Sequence, residues 1–241
     1  MTEKTKGIVL RQIKYSDSGI IVWLYTRKFG RQSVLIRGLR KKKSGRHNIL
    51  FQPMFILDFV MYYKEAREMQ TLREFTVSYS PADIYSNIRK SSVAVFLGEV
   101  LASVLREEHP NERLFDYIED SIIYFDTRKE DYANFHLAFL AGLSSFLGFE
   151  PRKRKDSSDL YFDMLNGGFV ASPPLHGNFA DREPSGILAF LFSSSFDKIT
   201  DIKLTGIVRN EILETLIKYY SLHLPGLKKI KSLEVLKAVY S

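Results

Sequence analysis

The residues of this sequence with the clearest chemistry are cations near the amino terminus. Residues 37–46 hold six positive charges and no acid. Such clusters attract phosphate backbones, because each neutralised phosphate releases bound counterions. Aromatic side chains lie between further cations upstream, and single-stranded nucleic acid is often held by a basic groove with stacking aromatics. The aromatic residues in question are Tyr15, Trp23, Tyr25 and Phe29.

These patterns predict a nucleic-acid-binding surface. Two alternatives stay open at this stage. The run at 37–46 could be a solvated loop, and Trp23 and Phe29 could fill the interior of a barrel. The predicted binding residues are Arg11, Lys14, Arg27, Lys28, Arg31, Arg37, Arg40, Lys41, Lys42, Lys43 and Arg46.

The charge of the chain is distributed unevenly. Of the 241 residues, 1–52 hold thirteen Lys and Arg against two acids, a net charge of +11. The other 189 residues hold 22 bases and 26 acids, a net charge of −4. This asymmetry predicts a polyanion-binding end followed by a more neutral body.

Catalytic and metal-binding patterns are absent from the sequence. With no cysteine, a thiol nucleophile, a disulfide framework and a thiolate zinc site are excluded. The five histidines are scattered without a pair at i, i+4, and His136 in an apolar helix is read as a packed residue. Asp58, Glu65 and Glu68 could form a magnesium site for a nuclease, but the two glutamates fit a solvated turn better. We therefore expect no enzyme, no metal and no cofactor.

The apolar stretches are too short for the roughly 20 residues of a membrane helix. The amino terminus also has no signal-peptide core. We expect a soluble cytoplasmic protein, associated with the nucleoid, without a membrane or a small-molecule substrate as partner.

Five strands are predicted in about 80 residues, with a long basic break after the third. Closing such strands into a barrel removes the exposed strand edges. An OB-fold has this number of strands and this size. Strand counting alone does not exclude an SH3-like barrel. The predicted strands are 7–13, 20–26, 32–37, 54–63 and 69–77.

Beyond residue 80 the apolar period changes from 2 to 3.6, which indicates helices. A loop-rich excursion at 152–182 interrupts them, with a small hairpin across Gly167 and Gly168. The predicted fold class is α+β: a five-stranded OB-fold-like β-barrel in a domain 1–80, then an α-helical domain 81–241 with a loop-rich insertion. The predicted helices contain residues 93–105, 114–125, 135–147, 186–192, 208–220 and 232–240.

Short motifs along the whole chain resemble the bacterial RecO family in the right order. In the barrel they include residues 24–31 (LYTRKFGR), 36–40 (IRGLR), 50–53 (LFQP) and 71–74 (TLRE). The helical part contains 146–151 (FLGFEP), 161–169 (YFDMLNGGF), 219–224 (YYSLHL) and 231–236 (KSLEVL). The chain departs from the family at one place: many members carry four cysteines of a zinc site around the YFxxxxGGF segment, and this chain has none. Packing must then stabilise residues 152–182, or the segment is loose.

The resemblance implies a non-enzymatic recombination mediator in DNA repair. A RecO protein binds single- and double-stranded DNA, anneals complementary strands and, with RecR, helps RecA replace the single-stranded-DNA-binding protein SSB. It contacts the acidic, apolar-ended tail of SSB through its helical domain.

An acidic tail with an apolar end needs an apolar groove rimmed by cations. The sequence places this tail site at Phe135, Phe139, Arg152, Lys153 and Arg154, with Lys228, Lys229 and Lys231 as the second choice. The alternative that Phe135 and Phe139 are core residues has equal weight at this stage. A different class of function, an RNA-binding OB-fold module in translation or ribosome assembly, also fits the charge.

Overall fold

A computed structural model describes residues 2–16, 19–37, 48–105, 109–154 and 156–240. The chain forms two compact units. The first is Met1–Thr127 with Ile230–Leu236, and the second is Arg128–Lys229 with Lys237–Ser241. The division into a domain 1–80 and a domain 81–241 stays a prediction.

The first unit begins with a closed barrel whose strand order is β1-β2-β3-β5-β4. β1 pairs antiparallel with both β2 and β4, and a parallel pairing of β3 with β5 completes the closure. The prediction of an α+β chain with a five-stranded OB-fold-like barrel is confirmed. The barrel strands are β1 (Thr2–Ser16), β2 (Gly19–Thr26), β3 (Gly30–Arg37), β4 (Ile56–Tyr62) and β5 (Met69–Tyr79).

Every second side chain of the barrel strands points inward and fills the barrel interior. Val22 and Leu24 of β2 belong to the buried core, while Trp23 between them is only half-buried. Because successive side chains point to opposite faces of a strand, Trp23 lies outside the barrel core. Phe29 packs against that core, with its ring centroid 4.2 Å from that of Tyr63. The two aromatics therefore differ, and only Phe29 fits the interpretation as a core residue.

Three helices complete most of the first unit, and the second of them packs closely on the barrel. A Cβ on Gly98 would meet the Leu10 carbonyl oxygen at 2.5 Å, so glycine is required at this contact. Asn87 caps the helix by accepting from the backbone N–H groups of Arg89 and Lys90. The helices are α1 (Ala82–Ser86), α2 (Ile88–Val104) and α3 (Glu112–Thr127).

The second unit packs helices around α4 and contains a small sheet of order β7-β6-β8. Its helices and strands are α4 (Phe135–Phe146), β6 (Tyr161–Asp163), β7 (Gly168–Val170), β8 (Phe179–Ala180), α5 (Arg182–Ser193) and α6 (Gly206–His223). The final helix, α7 (Ser232–Val239), contributes residues to both units.

The hairpin predicted across Gly167 and Gly168 is present, and a third strand joins it. The Ser185 hydroxyl accepts from the Phe162 N–H at 2.8 Å and donates to the Ala180 carbonyl at 2.8 Å, which fixes α5 to the sheet. Buried Asp163 accepts the backbone N–H groups of Leu165 and Asn166 at 3.0 Å. Packing and hydrogen bonds thus order this sheet within the part of the chain that the structure describes.

Candidate nucleic-acid interface

The outer face of β1, β2 and β3 carries a cluster of two arginines around the only tryptophan of the chain. A β-bulge between Val9 and Arg11 shifts the register, so that Arg11 pairs across the ladder with Trp23. The guanidinium carbon of Arg11 lies 4.5 Å from the Trp23 ring centroid, and that of Arg31 lies 5.5 Å from it. The two positive groups are therefore no more than 10 Å apart, held by one aromatic ring. We call Arg11, Trp23 and Arg31 the outer-face cluster.

Residues of α2 hold the cluster in place. The guanidinium of Arg31 donates to the Ala102 carbonyl oxygen at 3.4 Å. Arg11 lies close enough to Glu99 to act on its carboxylate electrostatically. Burial by itself would raise the pKa of Glu99, but hydrogen bonds from Ser232 and Lys231, together with Arg11, lower the pKa below its ordinary value. Both arginines are thus oriented before any ligand arrives.

The same face continues toward the end of the β1–β2 hairpin. Tyr15 exposes 57% of its surface and Ile13 exposes 37%, and Arg37 is exposed at the end of β3, where it pairs with Gly19 of β2. An exposed aromatic among cations is suited to stack on an unpaired base while the cations contact phosphates. Three predicted cations therefore extend along one face, together with Trp23: Arg11, Arg31 and Arg37. Lys14 pairs with the core residue Ile20, so alternation places it on the opposite face of β1 from Arg11 and Ile13.

A second group of predicted cations is already paired with carboxylates. Arg27 donates to Asp116 at 2.5 Å and to Glu119 at 3.3 Å, both on α3. Lys28 lies 3.8 Å from Glu3, and it is largely exposed. The structure thus separates Arg27 from the outer-face cluster.

The remaining predicted cations are Arg40, Lys41, Lys42, Lys43 and Arg46. They lie outside the described residues.

The second unit contains a groove of about 350 Å³ beside the predicted tail site. Three cations line it, Arg152, Lys153 and Arg154. Its apolar lining comes from rings on β7 and α5: Phe169, Phe190 and Phe192.

Arg154 is the most constrained of these cations. Its guanidinium carbon lies 5.1 Å from the Phe169 ring centroid, and its buried Nε has no hydrogen-bond partner among the described residues. Phe135 and Phe139, in contrast, are 3% and 1% exposed. Neither ring is accessible to a partner, so both are core residues and the apolar lining of this groove comes from elsewhere.

The structure also shows residues that the sequence did not single out. Phe190 and Phe192 belong to an ordinary apolar helix pattern, and only the fold places them beside Arg152 and Arg154. Asp116 and Glu119 are acids at i, i+3 on α3, a spacing that puts both on one helix face but does not identify their partners.

The carboxylates considered for a magnesium site stand on the barrel surface. Glu65 and Glu68 lie in the exposed link between β4 and β5, and Asp58 lies on β4. In the ranges that the structure describes, no three His, Asp or Glu side chains come together in a metal-binding group. Among those same residues, no helix is both long and apolar enough to cross a membrane.

Comparison with known proteins extends over the whole chain. The family model for the recombination protein O N terminal matches residues 1–81, and that for the recombination protein O C terminal matches residues 85–234. A DNA repair protein RecO of Phocaeicola vulgatus is 37% identical over 241 residues, covering 100% of both chains. One from Bacteroides fragilis is 38% identical over 242 residues, with 100% of both covered, and one from Porphyromonas gingivalis is 30% identical with 98% of both covered.

Proposed function

The chain belongs to the RecO family of DNA repair proteins, and we propose that it works there as a non-enzymatic recombination mediator. In this proposal it binds single- and double-stranded DNA and anneals complementary strands. With RecR it helps to load RecA onto DNA coated by SSB. Its place of action is the cytoplasm, at the nucleoid.

The observation that carries the proposal is the outer-face cluster. Arg11 and Arg31 offer two guanidinium groups beside one ring, a geometry suited to phosphate oxygens. Tyr15 and Arg37 continue this surface, so a single strand has cations for its backbone and an aromatic for its bases. Backbone contacts carry no sequence information, as annealing of arbitrary sequences requires. Neutralised phosphates also repel one another less when two strands approach.

Trp23 provides the test, because it is the only tryptophan in the chain. Its fluorescence should change when an oligothymidylate, which does not fluoresce, is titrated into the full-length protein. Arg11→Ala and Arg31→Ala should each weaken binding and flatten the dependence of log affinity on log salt by roughly 0.7. Arg73→Ala removes an exposed cation of β5 and should leave both quantities near wild type.

Binding is also measured independently by anisotropy. If the tryptophan emission stays constant at saturating oligonucleotide, the DNA binds elsewhere on the protein. Annealing is tested with complementary oligonucleotides coated with SSB, with and without this protein and with RecR added. Faster duplex formation supports the mediator. Tighter binding to RNA than to DNA of the same sequence, without annealing, would favour the RNA-binding alternative.

We further propose that the groove in the second unit receives the SSB tail. The tail combines acidic residues with an apolar end, and the groove pairs three cations with three aromatic rings. The guanidinium groups of Arg152 and Arg154 line the groove, and guanidinium groups pair well with peptide carboxylates.

The tail site can be tested with a labelled acidic peptide that ends in an aromatic residue. Arg152→Glu with Arg154→Glu should abolish binding, and Phe190→Ala should weaken it about tenfold or more, as truncating an aromatic anchor does. Lys228→Glu with Lys229→Glu is the matched control, since it also reverses two positive charges. Loss of binding in the control alone would move the tail to the C-terminal lysines.

A further inference from the structure

Arg27 is held on three sides by one helix. Its guanidinium donates to Asp116 at 2.5 Å and to Glu119 at 3.3 Å, and its central carbon lies 4.7 Å from the Phe115 ring centroid. About a third of the side chain remains exposed. Carboxylate oxygens satisfy a guanidinium in the same way as phosphate oxygens do. The helix therefore occupies the groups that a DNA backbone would use.

Lys6 of β1 is bound by the same helix. Its ammonium donates to Glu119 at 2.9 Å, so this one carboxylate serves both cations. Arg27 follows β2 directly, and its backbone N–H donates to the Lys6 carbonyl at 3.0 Å, which keeps the two cations together. The ion pairs thus form a compact unit on one end of the β1–β2 ladder.

The position of α3 is fixed independently of these ion pairs. Tyr25 donates to the Asn111 carbonyl at 3.4 Å, just before the helix begins, and its ring centroid lies 6.2 Å from that of Phe115. Leu114, Phe115 and Ile118 are buried. Apolar packing holds the helix against the barrel, so its carboxylates stay in place even if one ion pair opens.

We propose that Asp116 and Glu119 act as built-in phosphate mimics that keep DNA off Lys6 and Arg27 and direct it to the outer-face cluster. This inference rests on the proposed DNA binding by the barrel. Arg11 lies five positions after Lys6 on β1, which is about 15 Å along a strand. The barrel then has one end whose cations are paired with two carboxylates of α3 and one face whose arginines flank Trp23, and the carboxylates decide which of the two a phosphate backbone reaches.

The physical basis is competition and repulsion together. A phosphate that approaches Arg27 must displace two carboxylates already in contact, and it meets their negative charge at short range. Repulsion between these carboxylates and a phosphate disfavours binding at Lys6 and Arg27, and it does not strengthen binding at the outer-face cluster. Removing both charges should therefore create binding that the wild-type protein lacks.

The experiment compares two full-length variants with the same change in net charge. Asp116→Asn with Glu119→Gln removes the carboxylates that hold Lys6 and Arg27. Glu112→Gln with Asp120→Asn removes two exposed carboxylates of the same helix that lie outside these ion pairs. Affinity for an oligothymidylate is measured by anisotropy at three salt concentrations, and thermal unfolding confirms that both variants are folded.

The first variant should bind more tightly than wild type, on the order of fivefold per released cation at 0.1 M salt, with a salt slope steeper by roughly 0.7 for each. The control should change much less. Adding Lys6→Ala and Arg27→Ala to the first variant should return affinity and slope to wild type. Since misfolding does not produce tighter binding, the gain is a safe readout.

Three outcomes would overturn the inference: no gain in the first variant, the same gain in the control, or a gain that survives removal of Lys6 and Arg27. Each assumes that the wild-type protein binds DNA. Failure of the proposed function looks different, because wild type and all variants would then show no salt-dependent binding at all.

Discussion

His136 lies fully inside the second unit, on α4, with its ring centroid 5.6 Å from that of Tyr240. Burial, followed by the nearby Arg209 cation, lowers the pKa of His136 from 6.5 to about 3. In the unfolded chain this histidine regains an ordinary pKa and binds a proton below about 6.5. The folded state therefore loses stability as the pH falls from 6.5 toward 3, because only the unfolded state is protonated in that window.

His136→Leu should remove this dependence. In the wild-type protein we expect the histidine to cost about 2 kcal/mol of unfolding free energy between pH 7.5 and pH 5. Urea unfolding of both proteins at the two pH values checks this. As the pH falls, the unfolding free energy of the variant should rise relative to that of the wild-type protein. A difference in unfolding free energy that is independent of pH would contradict the lowered pKa of His136.

Glu99 is the residue that joins α2 to the start of α7. Its carboxylate accepts from the backbone N–H of Lys231 at 3.0 Å and of Ser232 at 2.9 Å, and from the Ser232 hydroxyl at 2.5 Å. It thus caps α7 from another helix, as a side-chain oxygen does at an N-cap. Since the folded pKa is lowered, this stabilisation is present above the ordinary glutamate pKa and is lost as the pH falls through the folded value.

Glu99→Ala should therefore destabilise the first unit by about 1–2 kcal/mol at pH 7. Hydrogen exchange of the Lys231 and Ser232 amides should accelerate in this variant. Glu234→Ala, an exposed acid of α7, is the control. Equal exchange in wild type and Glu99→Ala would show that α7 is held by other contacts.

At the scale of elements, α2 depends on a helix glycine at its contact with the barrel. A Cβ on Gly98 would lie 2.5 Å from the Leu10 carbonyl oxygen and 2.8 Å from the Pro53 Cβ. Gly98→Ala must therefore push helix and strand apart, which costs about 1–3 kcal/mol as overpacking does. Gly186→Ala on α5 is the matched control. A Cβ there meets nothing within 4 Å, so alanine should stabilise by up to about 1 kcal/mol.

Thermal unfolding of the two alanine variants measures both effects. The melting temperature should fall for Gly98→Ala and rise or stay constant for Gly186→Ala. If the two melting temperatures shift in the same direction by the same amount, helix propensity determines both effects, and the close approach of α2 to β1 does not determine stability.

The sequence was most informative where one local pattern decides the structure. β-Branched-rich runs bounded by turn residues predict all five barrel strands, as β2 at Gly19–Thr26 illustrates, although β1 at Thr2–Ser16 is about twice as long as predicted. The helix stripe that includes Phe96 and Leu101 became α2. The tertiary surroundings of single side chains could not be derived in this way. Sequence alone leaves Trp23 and Phe29 open as core or stacking residues. Burial of Val22 and Leu24 turns Trp23 outward, and the β-bulge before Arg11, which no local pattern encodes, sets Arg11 opposite it.

The same limit applies to the candidate sites. A run of cations predicts where phosphate could bind, but it does not show which cations already have partners. Arg27 lies in the basic arm of the sequence, while its carboxylates come from α3, 89 and 92 residues away along the chain. The sequence predicts Phe135 and Phe139 at the tail site because their apolar helix is followed by a basic run, but packing buries both rings. Long-range contacts of this kind follow from the fold and not from spacing.

At the scale of the whole molecule, the uneven charge predicts how affinity depends on salt. The first 52 residues carry a net charge of +11 and the rest −4, so the barrel end should supply most of the counterion release on DNA. Two sources can contribute, the outer-face cluster and the cations at 37–46, of which Arg40, Lys41, Lys42, Lys43 and Arg46 lie outside the described residues.

Replacing Arg40, Lys41, Lys42 and Lys43 by alanine separates the two sources. We expect weaker binding to unrelated DNA sequences by similar factors, because phosphate contacts carry no base specificity. The salt slope should flatten by roughly 0.7 for each lost contact on single strands. The free energy of unfolding should change by less than ~0.5 kcal/mol per residue, as at surface positions generally. Titrating both proteins with two unrelated oligonucleotides at three salt concentrations measures all of this. An unchanged slope would show that residues 40–43 are solvated bystanders, and the counterion release would then come from Arg11, Lys14, Arg31 and Arg37.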